Sequence, residues 1–179
     1  MTDPSIEAGV RDVQTVTESG ASVATTIDGV LTRSTPHHVD HRGSVFEIFE
    51  GHNDYWDEPV VYAYQFSVRP GQVKGWGLHE QKRDRYTIIS GEVLLFLYDS
   101  RPDSPTHGAS MKLVLSDRGV RQVTIPQFVW HLSVNVGSTE AYLINFPTEV
   151  YHHSAPDRLL LPHDSPEIPV DIRAHLPLF

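Results

Sequence analysis

Short runs of β-branched and aromatic residues, broken at close intervals by turn formers, leave this chain little choice of fold. From Thr25 onward the runs cover 45–49, 60–68, 85–89, 93–98, 111–115, 122–125, 131–136 and 141–146. Between them stand Arg69-Pro-Gly71, Ser90-Gly91, Arg101-Pro-Asp-Ser-Pro105, Asp117-Arg-Gly119 and Gly137-Ser138. Runs of this length suit strands, and turn signals at this spacing predict an all-β sandwich, jelly roll or barrel. Only 159–161 and the C-terminal tail suit a short helix. Residues 1–22 are polar and aperiodic, which predicts a flexible N-terminal tail ahead of a single domain over 23–179. After Pro147 the chain turns proline- and histidine-rich, as expected of an extended wrap over the barrel.

Composition narrows the setting. A chain of 179 residues is long enough for one sizeable core. Cysteine is absent, which rules out disulfides and Cys-based zinc sites and predicts a cytoplasmic protein. No apolar run approaches a membrane span. A formal charge of −9 argues against nucleic acid or an acidic membrane as the main partner. Yet Arg69, Lys74, Lys82, Arg83 and Arg85 crowd one short stretch around His79, which reads either as a solvated basic hairpin or as a funnel for a phosphorylated ligand.

Two segments carry the chemistry. Gly71-x5-Gly77-x-His79-x4-Asp84-x6-Gly91 resembles the first cupin motif, with Gly77 at its first histidine and Asp84 at its glutamate. Gly119-x6-Pro126-x4-His131-x3-Asn135 resembles the second. Both in order imply a cupin jelly-roll β-barrel with histidines in the lumen. Within cupins the chain resembles the dTDP-4-dehydrorhamnose 3,5-epimerase family over about residues 28–171. The matching segments are Asp40-His-Arg42-Gly43-Ser-Val-Phe-Glu47, Gln65-Phe-Ser67, Gly77-Leu-His79-x-Gln81, Ser90-Gly91-Glu92-Val93, Asp99-Ser-Arg101, Ile125-Pro126 with His131, and His163-Asp164.

That resemblance implies proton abstraction next to the C4 ketone of a dTDP-4-keto-6-deoxyhexose, without a cofactor. His79 would be the base and Asp164 would hold its other ring nitrogen. His131 would be a pocket wall group, Arg42 and Glu47 would bind the nucleotide, and Gln65 would lie near the phosphates. A homodimer lending Arg42-Gly43 to its neighbour's pocket is implied as well. The chain departs from the family at four places. Trp76 stands at the arginine before Gly-Leu-His, Asp84 at the enolate-stabilising lysine, Ile144 at the acid tyrosine, and Val45 at the aromatic over the base. Tyr142, two residues from Ile144 and so on the same strand face, is a candidate replacement acid. Lys74, Lys82, Arg83 and Arg85 are candidate replacement cations. Two other readings follow from the residues. His79, Asp84 and His131 form a two-histidine, one-carboxylate set that suits one divalent metal ion. The losses also fit a lapsed enzyme that only binds a nucleotide sugar.

Overall fold

The computed structural model of the protein describes residues 3–50 and 55–173. Its strands, in chain order, are β1 Leu31–Arg33, β2 His37–Asp40, β3 Gly43–Phe46, β4 Tyr64–Val68, β5 Val73–Leu78, β6 Asp84–Ser90, β7 Glu92–Asp99, β8 Ser110–Ser116, β9 Gln122–Ile125, β10 Val129–Asn135, β11 Ala141–Asn145 and β12 Leu159–Leu160. They form two five-stranded sheets, β1-β9-β6-β11-β4 and β12-β5-β10-β7-β8, with β2 and β3 as a separate hairpin. All pairings are antiparallel. The jelly-roll expectation is met.

The two sheets enclose an apolar plug built from alternate residues of facing strands. Val93, Leu95 and Leu97 of β7 meet Ile88 of β6, Val123 and Ile125 of β9, and Leu143 of β11, all essentially inaccessible. Removing that apolar surface from water is the main force closing the barrel. The tight turn by which the chain crosses from β6 in one sheet to β7 in the other depends on Gly91, which has φ +86°, and a methyl there would lie 2.9 Å from Ala141 Cα.

A second apolar cluster lies on the outside of the second sheet. Trp76, Phe96, Leu132 and Val134 project there, and the C-terminal strap covers them with Ile168 and Ile172. The strap is tied down by Leu161 N–H to Trp76 O at 3.2 Å and by Trp76 Nε1–H to His163 O at 3.3 Å. The expected wrap is therefore present, but 159–161 is not a helix. Leu159 and Leu160 pair with Leu78 and Gly77, extending the sheet. The other helix-compatible stretch, the C-terminal tail, falls in 174–179, outside the described residues. The helix found instead is α1, Pro4–Ala8, in the stretch expected to be a tail. Asp3 caps it by accepting Ser5 N–H at 2.8 Å, and Pro4 sits at its first position.

Candidate active site

One end of the barrel is left unfilled by the plug. A cavity of about 290 Å³ opens there, lined by Tyr64 and Phe66 of β4, Gly75 and Gly77 of β5, Asp84 and Tyr86 of β6, and His131 and Ser133 of β10, among others. His79 follows directly on β5, and Lys74, Lys82, Tyr151 and Arg158 close the rim.

Asp84 is the hub. It is 2% exposed. Asn145 Nδ2 donates to its Oδ1 at 2.8 Å and Tyr86 OH donates to its Oδ2 at 3.1 Å. His79 Nε2 lies 3.2 Å and His131 Nε2 3.5 Å from the same Oδ2. On their far sides the rings meet backbone carbonyls, His79 Nδ1 at Asp157 O and His131 Nδ1 at Val129 O, 3.2 Å away. Burial pushes the Asp84 carboxyl up, but the hydrogen bond and charge of His79, the charge of His131 and the Asn145 amide outweigh it. They hold the carboxyl well below the usual range. Asn145 Nδ2 also reaches Tyr64 OH, its cross-strand partner on β4, at 3.0 Å. Burial, reinforced by the Asp84 charge, pushes the Tyr64 phenol up to about 12, and Tyr86 rises well above its ordinary value for the same two reasons. Both phenols therefore keep their protons near neutrality.

His131 is shifted the other way. Burial lowers it to about 4; Asp84 opposes this, and the charges of His79 and Arg158 add to it. The folded chain thus keeps His131 neutral where the unfolded chain, titrating near 6.5, already binds a proton. The resulting stability is complete above about pH 6.5 and is lost as pH falls toward 4, by about 3 kcal/mol at most. We expect the melting temperature to fall across that window and the fall to be shallower in His131→Gln. Equal slopes in the two proteins would show that His131 is not the group responsible.

His79, His131, Asp84, Lys74 and Lys82 are brought to one cavity, whereas Asp164, Tyr142, Gln65, Arg42 and Glu47 are not. Asp164 is turned outward to Arg173, 3.3 Å away, because the strap bends at 162–165 before reaching it. The place beside His79 Nδ1 belongs to Asp157, whose carboxylate also accepts Glu80 N–H at 2.9 Å and Gln81 N–H at 3.1 Å. Tyr142 is 37% exposed and donates to Glu140 at 3.2 Å. On β11 the buried parity is Ala141, Leu143 and Asn145, so neither Tyr142 nor Ile144 lines the cavity. Gln65 lies on the outer parity of β4, exposed between Tyr64 and Phe66. Arg42 and Glu47 belong to the exposed β2–β3 region, where Arg42 pairs with Asp40. Trp76 faces the strap, away from the lumen.

Of the candidate cations, Arg83 is engaged by Asp57 and Glu58. Arg85 is buried against the carbonyls of Phe146, Glu58 and Pro59. Lys82 is 4% exposed and has no carboxylate partner among the described residues. Sequence reasoning missed Asp157, Arg158, Tyr64, Tyr86 and Asn145. The Pro-Asp-Arg of the strap was the one signal available for them.

His79, Asp84 and His131 each present a ligand atom, all within 4.8 Å of one another. Two imidazoles and a carboxylate are the donor set of a divalent site, to which Gly77 adds no fourth donor, and Arg158 lies on the same wall with a fixed positive charge.

A jelly-roll lumen holding two imidazoles on one carboxylate, with buried phenols facing them, defines a cupin-type barrel equipped for proton transfer. The chain belongs to the dTDP-4-dehydrorhamnose 3,5-epimerase family, whose sequence model matches residues 24–177. It is 30% identical over 151 residues to a probable low-salt glycan biosynthesis epimerase, Agl13, of Haloferax volcanii, covering 84% of this chain and 97% of that one. It is 28% identical over 142 residues to the spore coat polysaccharide biosynthesis protein SpsL of Bacillus subtilis, covering 79% and 93%. In fold it resembles the dTDP sugar isomerase of Desulfovibrio desulfuricans, with a TM-score of 0.75 at 23% identity, over 81% of this chain and 91% of that one.

Proposed function

We propose that the protein epimerises a dTDP-4-keto-6-deoxyhexose by removing and returning a proton next to the C4 ketone. The observation that carries this is the bracing of His79. Its Nδ1 is held by Asp157 O, which fixes the tautomer with the lone pair on Nε2. When Nε2 takes a proton, the Asp84 carboxylate 3.2 Å away offsets the imidazolium charge while Nδ1–H keeps its acceptor. No side chain has to move to stabilise the charge as it forms. Tyr64 supplies the proton from across the lumen. Its oxygen accepts from Asn145 and its own proton is pledged to no acceptor among the described residues.

The cavity of about 290 Å³ suits the sugar ring, leaving the nucleotide to lie over the rim near Lys74. The chemistry is complete in side chains and takes no cofactor; a metal on His79 Nε2 would occupy the lone pair the proton needs. Arg42 and Glu47, exposed on and beside a hairpin remote from their own cavity, fit a role in a second copy's rim, and a homodimer is part of the proposal. Sedimentation equilibrium at one chain mass would overturn that pairing. Cytoplasmic placement, readable by cell fractionation, completes it; no described helix is long and apolar enough to cross a membrane.

The test is proton NMR of dTDP-4-keto-6-deoxyglucose with the protein in D2O. Deuterium at C3, C5 or both is expected and counts the carbons worked on. Tight dTDP binding with no exchange would mean a binding protein and would overturn the epimerase reading.

A further inference from the structure

Proton removal beside a ketone leaves negative charge on the carbonyl oxygen, which a buried site must meet with a donor or a cation. The carboxylate of Asp84 cannot do this. We infer that Arg158 is the catalytic cation, holding the enolate oxygen from the space that Gly77 leaves open. This rests on the reading proposed above and assigns a residue that reading lacks.

The position follows from strand pairing. Leu159 pairs with Leu78 and Leu160 with Gly77, so continuing that register sets Arg158 opposite His79. Residues opposite each other on antiparallel strands share a face. The glycine confirms where the guanidinium goes. A methyl on Gly77 would lie 3.5 Å from His131 Nε2 and 3.7 Å from Arg158 Nε. Arg158 therefore occupies the wall beside His131 that a side chain at 77 would otherwise fill.

The guanidinium is also unspent. Arg83 is paired with two carboxylates, Arg85 with three carbonyls and Arg101 with Asp99. Arg158 has no hydrogen-bond or ion-pair partner for its side chain among the described residues, although it lines the cavity. Its field reaches the reacting groups, opposing the rise of both Tyr64 and Tyr86 and adding to the depression of His131. Lys82, almost wholly buried on the same rim, adds a second positive charge. One dipeptide thus serves both ends of the reaction: Asp157 braces the base and Arg158 meets the charge the base creates.

The step balances. His79 Nε2 takes the proton from the carbon next to C4, the C–H pair becomes the carbon–carbon double bond, and the carbonyl π pair moves to oxygen against Arg158. Protonation of that carbon by Tyr64 restores the ketone. The enzyme resets when His79 releases its proton and Tyr64 regains one.

Arg158→Gln and Arg158→Lys test the assignment by deuterium uptake into dTDP-4-keto-6-deoxyglucose, with dTDP affinity measured by calorimetry on the same samples. Arg158 sits on the exposed strap, so both variants are expected to fold, which their melting temperatures check. The expected result is a fall in exchange of about 10²–10³-fold in Arg158→Gln, with dTDP affinity unchanged. Arg158→Lys should recover part of that loss, since it keeps the charge and loses the planar fork. Wild-type exchange in Arg158→Gln would overturn this assignment alone. A loss of dTDP affinity matching the loss of exchange would make Arg158 a diphosphate contact and overturn it too. No exchange by the wild-type protein would overturn the epimerase reading and, with it, this role.

Discussion

Glutamine in place of His79 is expected to cut deuterium uptake at the sugar carbon by about 10³-fold or more while leaving the fold intact. A positioned general base contributes about 10²–10⁴-fold, and glutamine has no nitrogen lone pair of comparable proton affinity to take over. Its amide is nevertheless well matched to the hole. It donates N–H where the ring did, to Asp157 O or to Asp84 Oδ2, so the buried acceptors are not orphaned. Stability should change by no more than about 1 kcal/mol, within the ordinary range for a replacement that leaves no polar group unpaired. Affinity for dTDP, which lies outside the sugar pocket in this reading, should be unaffected. If the variant exchanged protons within tenfold of wild type, the base would have to be another group, and Asp84 would be the next to examine.

Methionine in place of Arg85 should have the largest effect on stability, and for reasons unrelated to catalysis. Arg85 is 1% exposed. It donates to Phe146 O at 2.6 Å, Glu58 O at 2.7 Å and Pro59 O at 2.9 Å, and its guanidinium stacks on Trp56, 5.1 Å from the ring centroid. The side chain pins residues 58–59 to the end of β11. Methionine keeps the stem's bulk but leaves three carbonyls without their donor. Stranding buried polar groups in this way costs about 3–5 kcal/mol in all. For a chain of this size that lowers the melting temperature by roughly 10 °C or more. Urea unfolding of the two proteins measures it, and a difference under about 1 kcal/mol would show that water or neighbouring donors replace the guanidinium.

Fold and site were legible in the sequence to different degrees. Strands rich in β-branched residues, such as β6 and β9, announce themselves because side chain and backbone preference agree. β5 does not: Val-Lys-Gly-Trp-Gly-Leu carries two glycines, and it is a strand because its neighbours β10 and β12 pair with it. Leu159–Leu160 read as helix for the opposite reason, since leucine favours helices until a partner strand overrides it. Within the site, the motif spacing located His79, Asp84 and His131, because those residues lie on the strands the motif defines. Parity was not readable on β11, where Ala-Tyr-Leu-Ile-Asn is apolar at both phases, and Tyr142 was assigned to the wrong face. Asp157 and Asp164 stand seven residues apart on one strap, and only the docking against β5 chooses between them. Arg158 was invisible because its place is defined by a side chain that Gly77 does not have.

The strap's late position in the chain has a consequence for how the molecule is made. Both sheets' long strands are complete once Asn145 has been synthesised, whereas the residues that brace His79 and face it come twelve and thirteen positions later. In the order of synthesis, the long strands that close the barrel precede the residues that make it reactive. In descent the same separation lets the strap be rewritten residue by residue, changing what the lumen does to a sugar without asking the barrel to fold anew.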